Sequence, residues 1–198
     1  MQAYVREVVA ARGYTRDLNE IFILTVEEVG ELAAEFKKRT FYPERFDPAN
    51  LAFELADVLL YLLDLANSFG LDLMTQWAAH ERENDLRYAE RRGGKPTVAA
   101  IQSSFSLSEL AEHLELKREE RGFGDTPERL MILLTEEIGE IATEIRKQWT
   151  GLSDPRRVGD EIIDALTYLV RMSRGFGVDL ERAVADKERH NAGRSWTY

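Results

Sequence analysis

Glu28-Val29-Gly30-Glu31 and Glu54-Leu55-Ala56-Asp57 each set two acids three residues apart, and Glu137-Ile138-Gly139-Glu140 and Glu161-Ile162-Ile163-Asp164 do so again. On a helix, residues at i and i+3 lie on one face. Two such helices side by side would bring four carboxylates together. Like charges about 5 Å apart repel by roughly 3 kcal/mol at an effective dielectric near 20. A buried carboxylate without a partner costs several kcal/mol more. A divalent cation removes both penalties, so the chain reads as carrying two metal sites. Oxygen ligands without imidazole or thiolate suit hard cations, Mg²⁺ or Mn²⁺.

Other metals fit poorly. The chain has no cysteine, which excludes thiolate ligands and disulfides. Its histidines are His80, His113 and His190, and none follows a motif glutamate by three residues, as a ferritin-like di-iron site requires. There is no Asp-x-Asp-x-Asp-Gly loop for an EF-hand. A single Glu-x-x-Glu is ordinarily a solvated helix face. Here both motifs recur in one order, and their phase points inward.

The elements that must position these acids come from an internal repeat. Residues 24–36 match residues 133–145, and Arg12-Gly13-Tyr14 matches Arg121-Gly122-Phe123 at the same offset. Downstream the offset is two residues shorter. It pairs Glu54 with Glu161, Asp57 with Asp164, Tyr61 with Tyr168, Phe69-Gly70 with Phe176-Gly177, Asn84 with Asn191 and Arg87 with Arg194. One two-residue deletion between the acidic helices accounts for the change. The reading is all-α, with a first repeat over 1–92, a linker over 93–105 and a second repeat over 106–198. The boundary falls near Arg91-Arg92-Gly93-Gly94-Lys95-Pro96, a plausible exposed linker.

Each repeat reads as four helices, near 2–12, 16–40, 48–69 and 71–91, then 106–121, 126–149, 154–175 and 178–192. Thr126-Pro127 and Asp154-Pro155 are start signals, and Gly70 and Gly177 are stops. No segment has the alternation of a strand. Helix phase returns after seven residues with a drift of about 20°. Ile21 and Leu24 therefore lead to Glu28 and Glu31, and Leu130 and Leu133 to Glu137 and Glu140. Glu35 and Glu144 extend that stripe, whereas Glu27 and Glu136 face outward or back the ligands.

The chain has 198 residues and a formal net charge of −10. It is long enough for one or two domains with a real core. The charge argues against duplex nucleic acid as a partner, but not against a small phosphorylated ligand that arrives with its metal. No apolar run nears the roughly 18 residues of a membrane span, and the start lacks a signal-peptide core. A cytoplasmic protein with no membrane partner is expected.

Glu-Glu-x-x-Glu on one helix and Glu-x-x-Asp on the next resembles the MazG-like, all-α nucleoside triphosphate pyrophosphohydrolases, nearly throughout the chain and twice. The last helix of that family often carries Lys-x-x-x-Asn. The second repeat has Lys187-Glu188-Arg189-His190-Asn191, followed by Arg194, whereas the first has His80-Glu81-Arg82-Glu83-Asn84, followed by Arg87. The resemblance implies Mg²⁺-dependent hydrolysis of a nucleoside triphosphate between the α and β phosphates, giving a monophosphate and pyrophosphate, with housecleaning of noncanonical or excess nucleotides as the role. It implies Glu28, Glu31, Glu54 and Asp57 as one ligand set and Glu137, Glu140, Glu161 and Asp164 as the other. Glu28 and Glu137 are the candidates to orient the attacking water. Lys187, Asn191, Arg194, Asn84 and Arg87 are the candidates to meet phosphate. A dUTPase-like or phosphoribosyl-ATP hydrolase is the narrower reading. A non-catalytic nucleotide-binding regulatory module is the alternative from another class.

Because His80 stands where the lysine is expected, the second repeat reads as complete. Glu137→Gln or Asp164→Asn is then expected to cost more than Glu28→Gln or Asp57→Asn. Family members pair their four-helix units, so one chain with two units implies an intramolecular pseudo-dimer, with cationic residues available across the repeat interface. A further homodimer is left open. Lys37, Lys38, Arg146 and Lys147 read as complements to a helix dipole. Tyr61, Tyr168, Trp77, Trp149 and Trp196 read as packing more than base stacking. His113 and His190 receive no role.

Overall fold

The computed structural model describes residues 1–92, 96–101 and 105–192. Among them the chain forms eight α-helices and one short 3₁₀ turn: α1 (Gln2–Arg12), α2 (Leu18–Phe41), the turn Pro43–Arg45, α3 (Pro48–Ser68), α4 (Leu73–Arg92), α5 (Leu107–Arg121), α6 (Pro127–Gln148), α7 (Pro155–Gly175) and α8 (Leu180–Ala192). No strand occurs among the described residues. No described helix is long and apolar enough to cross a membrane.

Local chemistry sets the ends of these helices as the sequence implies. Thr126 accepts from the Arg129 backbone N–H at the start of α6, ahead of Pro127. Asp47 and Asp154 cap α3 and α7 in the same way: each accepts a 2.9 Å bond from the backbone two residues on, with proline in the first turn. Past the ends of α3 and α7, Gly70 and Gly177 have φ of 67° and 69°. There the Leu71 and Val178 N–H groups donate back to the carbonyls of Ala66 and Ser173. A side chain at either glycine would strain that left-handed turn.

Two helical hairpins, α2–α3 and α6–α7, make the centre. α3 packs on α7 and α2 on α6. The core runs through both hairpins: Leu32, Leu55, Leu59 and Leu62 from one, and Leu134, Ile141, Ile162 and Leu169 from the other, are all at most 1% exposed. The helices that follow each hairpin cross over. α4 packs on α7, whereas α8 packs on α3. At the first contact the end of the Gln76 side chain of α4 lies over Gly159 of α7, in the space a Cβ would take. α1 lies against α3, and α5 against α7 and α8.

The chain between α4 and α5 is less free than an exposed linker would be. Val98 N–H donates to Glu120 at 3.0 Å, Ile101 N–H donates to Glu81 at 2.8 Å, and Lys117 donates to the Val98 carbonyl at 2.6 Å. Lys117 is 2% exposed and is held by Asp85 of α4 at 2.8 Å. Gly93, Gly94 and Lys95 of the expected linker lie outside the described residues.

Trp77 is a core residue, edge-on to Phe105, but Trp149 is 73% exposed. The packing expected for Trp149 therefore does not occur: it caps the C-terminal end of α6, past the last turn that faces the core. Trp196 lies outside the described residues.

Candidate metal centres

The acids of α2 and α3 meet because the two helices form a hairpin, and one carboxylate oxygen each from Glu28, Glu54 and Asp57 lies within 4.8 Å of the others. Glu137, Glu161 and Asp164 of α6 and α7 do the same. These are threesomes with a fourth acid at the rim. Glu31 and Glu140 are exposed, outside both tight groups. From the rim, Glu31 and Glu140 still raise the proton affinity of Glu54 and Glu161. The drift of helical phase is the reason. The buried stripe of α2 runs through Ile21, Thr25, Val29, Leu32 and Phe36, so Glu28 borders it and Glu31 falls one step beyond. Glu27 and Glu136 face solvent.

The electrostatics match the geometry. Burial pushes the Glu28 carboxyl up to about 8, with help from Asp57, Glu31 and Glu54, while Lys187 opposes the shift. Burial likewise pushes Glu137 up to about 8, aided by Asp164, Glu161 and Glu140. Glu54 and Glu161 rise to about 7, again chiefly by burial. Glu54 Oε2 is buried with no hydrogen-bond partner. Acids that hold protons near neutral pH, plus an orphan oxygen in an all-carboxylate set, fit a hard divalent cation.

The cationic partners come from the opposite half of the chain. Lys187 of α8 forms an ion pair with Asp57 of α3, and its ammonium sits 5.4 Å from the Phe53 ring centroid. His80 of α4 instead meets the second cluster: Nε2 is 3.0 Å from Asp164 Oδ1 and Nδ1 is 3.2 Å from Asp160 Oδ1. Burial opposes charging of the imidazole, but the bonds and charges of Asp164 and Asp160 outweigh it and raise His80 above its ordinary value. Asn84 lies 2.9 Å from His80 Nε2. The expectation that the second repeat is the complete one is corrected here. The lysine of the second repeat serves the acids of the first, and the histidine of the first serves the acids of the second, because α8 packs on α3 and α4 on α7.

The other expected residues divide. Asn191 is half-buried on α8, with a buried Oδ1 that has no partner. Arg87 is exposed on α4, and Arg194 lies outside the described residues. Tyr61 and Tyr168 are half-buried beside the clusters, and burial first, then the nearby acids, raises both phenols. Lys38 and Lys147 pair with Glu35 and Glu144 at 2.5 and 2.6 Å. Both glutamates are 4% exposed, and each keeps one oxygen without a partner. His113 bonds to Glu81, and His190 lies beside Phe53 with ring centroids 5.5 Å apart. Asp160 was missed by motif reading because it lies just outside the Glu-x-x-Asp spacing. Aligning the repeats residue by residue would have found it, since Phe53 occupies the matching position.

Residues 17–78, which hold Glu28, Glu31, Glu54 and Asp57, match the sequence model of a family described as MazG nucleotide pyrophosphohydrolase domain. No curated protein and no solved structure matches the chain.

Proposed function

We propose, from the match of residues 17–78 to the MazG nucleotide pyrophosphohydrolase domain, that this protein hydrolyses nucleoside triphosphates between the α and β phosphates. The products are a nucleoside monophosphate and pyrophosphate. The observation that carries the proposal is the meeting of Glu28, Glu54 and Asp57 within 4.8 Å inside the matched segment. We read the whole chain as two four-helix units, residues 1–92 and 106–198, joined by residues 93–105 and packed as an intramolecular pseudo-dimer. The repeat and the crossed packing of α4 and α8 support that reading.

In this reading Glu28, Glu31, Glu54 and Asp57 hold Mg²⁺, with Mn²⁺ as a substitute. Glu137, Glu140, Glu161 and Asp164 hold cations at the second cluster. A cation held there would offset charge on the phosphate oxygens and make a nearby water more acidic. Glu28 is the group placed to orient the attacking water, because it is the acid of α2 that closes on Glu54 and Asp57 within 4.8 Å. As the water oxygen bonds to one phosphorus of the α–β anhydride, the bond from that phosphorus to the bridging oxygen breaks, and its electron pair stays on the bridging oxygen, which leaves with the other product. Lys187 sits on Asp57 with two N–H donors to spare, enough to meet a phosphate oxygen during this transfer. Asn191 flanks it one turn further along α8. Half-buried Tyr61, one turn beyond Asp57, borders the space left for sugar and base. We take the physiological substrates to be noncanonical or excess nucleotides.

The test is pyrophosphate release from a panel of ribo- and deoxynucleoside triphosphates, including oxidised and uracil-containing ones, with Mg²⁺ or Mn²⁺. Release from at least one, suppressed by chelation, is the expected result. No release from any triphosphate with either metal removes the proposal.

A further inference from the structure

The two acidic clusters have the same carboxylates but different company. At the first, Lys187 has one carboxylate partner, Asp57, and its ammonium sits 5.4 Å from the Phe53 ring centroid. An ammonium has three donors, so two stay available for phosphate oxygens. At the second, His80 takes the place of the lysine and Asp160 takes the place of Phe53. The imidazole has two ring nitrogens, and both are spent: Nδ1 on Asp160 at 3.2 Å and Nε2 on Asp164 at 3.0 Å. Asn84 lies 2.9 Å from the same Nε2, which bonds either Asp164 or Asn84 according to its protonation, whereas the side-chain oxygen of its counterpart Asn191 has no partner. His80 is 6% exposed, so the ring cannot swing out to a ligand without unpacking α4 from α7.

Charge points the same way. The first cluster sets Glu28, Glu31, Glu54 and Asp57 against the fixed charge of Lys187. The second sets Glu137, Glu140, Asp160, Glu161 and Asp164 against an imidazole. Glu188 also acts on Asp57 but is paired with Arg12, so whatever the protonation of His80 the second cluster carries at least one more negative charge. That surplus attracts a lone divalent cation and repels a polyphosphate.

We propose that the two clusters divide the work: the first binds cations together with the polyphosphate and turns it over, and the second holds a divalent cation without taking the polyphosphate. The proposal rests on the pyrophosphohydrolase reading above for the first cluster only. The second cluster is then a cation site at the junction of α4 and α7, and it ties the two halves of the chain together independently of substrate.

The test counts ligands on the intact chain. Mn²⁺ binding followed by electron paramagnetic resonance, without any phosphate, is expected to resolve two classes of site that differ by at least about tenfold in affinity. Glu161→Gln should remove the tighter class and Glu54→Gln the weaker. Calorimetry with Mn²⁺ and imidodiphosphate, a non-hydrolysable pyrophosphate, should give one equivalent per chain. Lys187→His should remove that equivalent. The double replacement His80→Lys with Asp160→Phe, which rebuilds the first cluster's surroundings at the second, should raise it to two. Two equivalents on the unmodified chain overturn the division of labour whether or not the double variant folds. So does loss of the single equivalent in Glu161→Gln but not in Glu54→Gln. No imidodiphosphate binding at all also overturns it. These outcomes are separate from the substrate panel. Pyrophosphate release with two binding equivalents leaves the activity standing and removes only the asymmetry.

Discussion

The acids of α2–α3 and those of α6–α7 are copies in sequence and in local geometry, yet they do not share an environment. Each threesome closes to within 4.8 Å, and the leading glutamate of each is pushed up to about 8 for the same first reason, burial. What differs is the helix laid over them. α8 brings Lys187 to Asp57, and α4 brings His80 to Asp164 and Asp160. Matching ligands can thus sit in unlike surroundings. The ligands lie on one hairpin, but the surroundings come from a helix far away in the chain.

The strongest way to break this comparison is to neutralise matched ligands. Glu54→Gln should lower pyrophosphate release by about 10³-fold, the scale of removing one preorganised electrostatic element from a transition state. Glu161→Gln should lower it by less than tenfold. Equal losses, measured by steady-state release of pyrophosphate, would make the two clusters equivalent. The opposite order would restore the expectation drawn from sequence, that the second repeat is the complete one. Next in size, Lys187→Met should cost about 10²-fold in kcat/KM, as expected for loss of a charged contact to the transferring group. His80→Gln should cost markedly less.

A third measurement separates the sites from the scaffold. Leu62 and Leu169 occupy matching positions in the two hairpins, and both are 0% exposed. Leu62→Ala and Leu169→Ala should each destabilise the fold by about 2–5 kcal/mol in denaturant titration. Similar losses would mean that the cores stayed alike while the sites diverged. A gap well beyond that range would mean that the asymmetry reaches the packing.

Metal and pH give the smallest effects. A divalent cation at about 100 times its Kd stabilises the folded chain by about 2.7 kcal/mol, which for this size is roughly 5–10 °C in Tm. Without metal, the raised glutamates work against stability as pH rises. Their ordinary value is 4.5, and in the folded chain they rise to about 7 for Glu54 and Glu161 and about 8 for Glu28 and Glu137. A raised acid contributes stability that is complete below 4.5 and is lost as pH climbs through its folded value. Thermal melts in chelator should therefore fall between about pH 5 and pH 8, and added Mg²⁺ should recover most of the loss at the alkaline end. A flat or rising curve in chelator would mean that the acids are not desolvated in the folded chain.

Much of this protein was decided by residue order alone. The start and stop signals at Thr126-Pro127, Asp154-Pro155, Gly70 and Gly177 act through nearest backbone neighbours, and each occurs as local chemistry requires. The pairing of Glu28 with Glu54 and Asp57 was nearly as legible, since a short turn between two helices leaves little choice but a hairpin. Residue order could not decide how far Glu31 and Glu140 turn toward solvent, because a few tens of degrees of helical phase separate a ligand from a rim residue. Nor could it decide which half of the chain α4 and α8 would cover. That choice depends on burying apolar faces against α7 and α3, on the close approach at Gly159, and on the anchoring of the connecting segment by Glu81, Lys117 and Glu120. These are contacts between residues distant in the chain, and they exist only once the fold has closed. They bring Lys187 to one set of acids and His80 to the other.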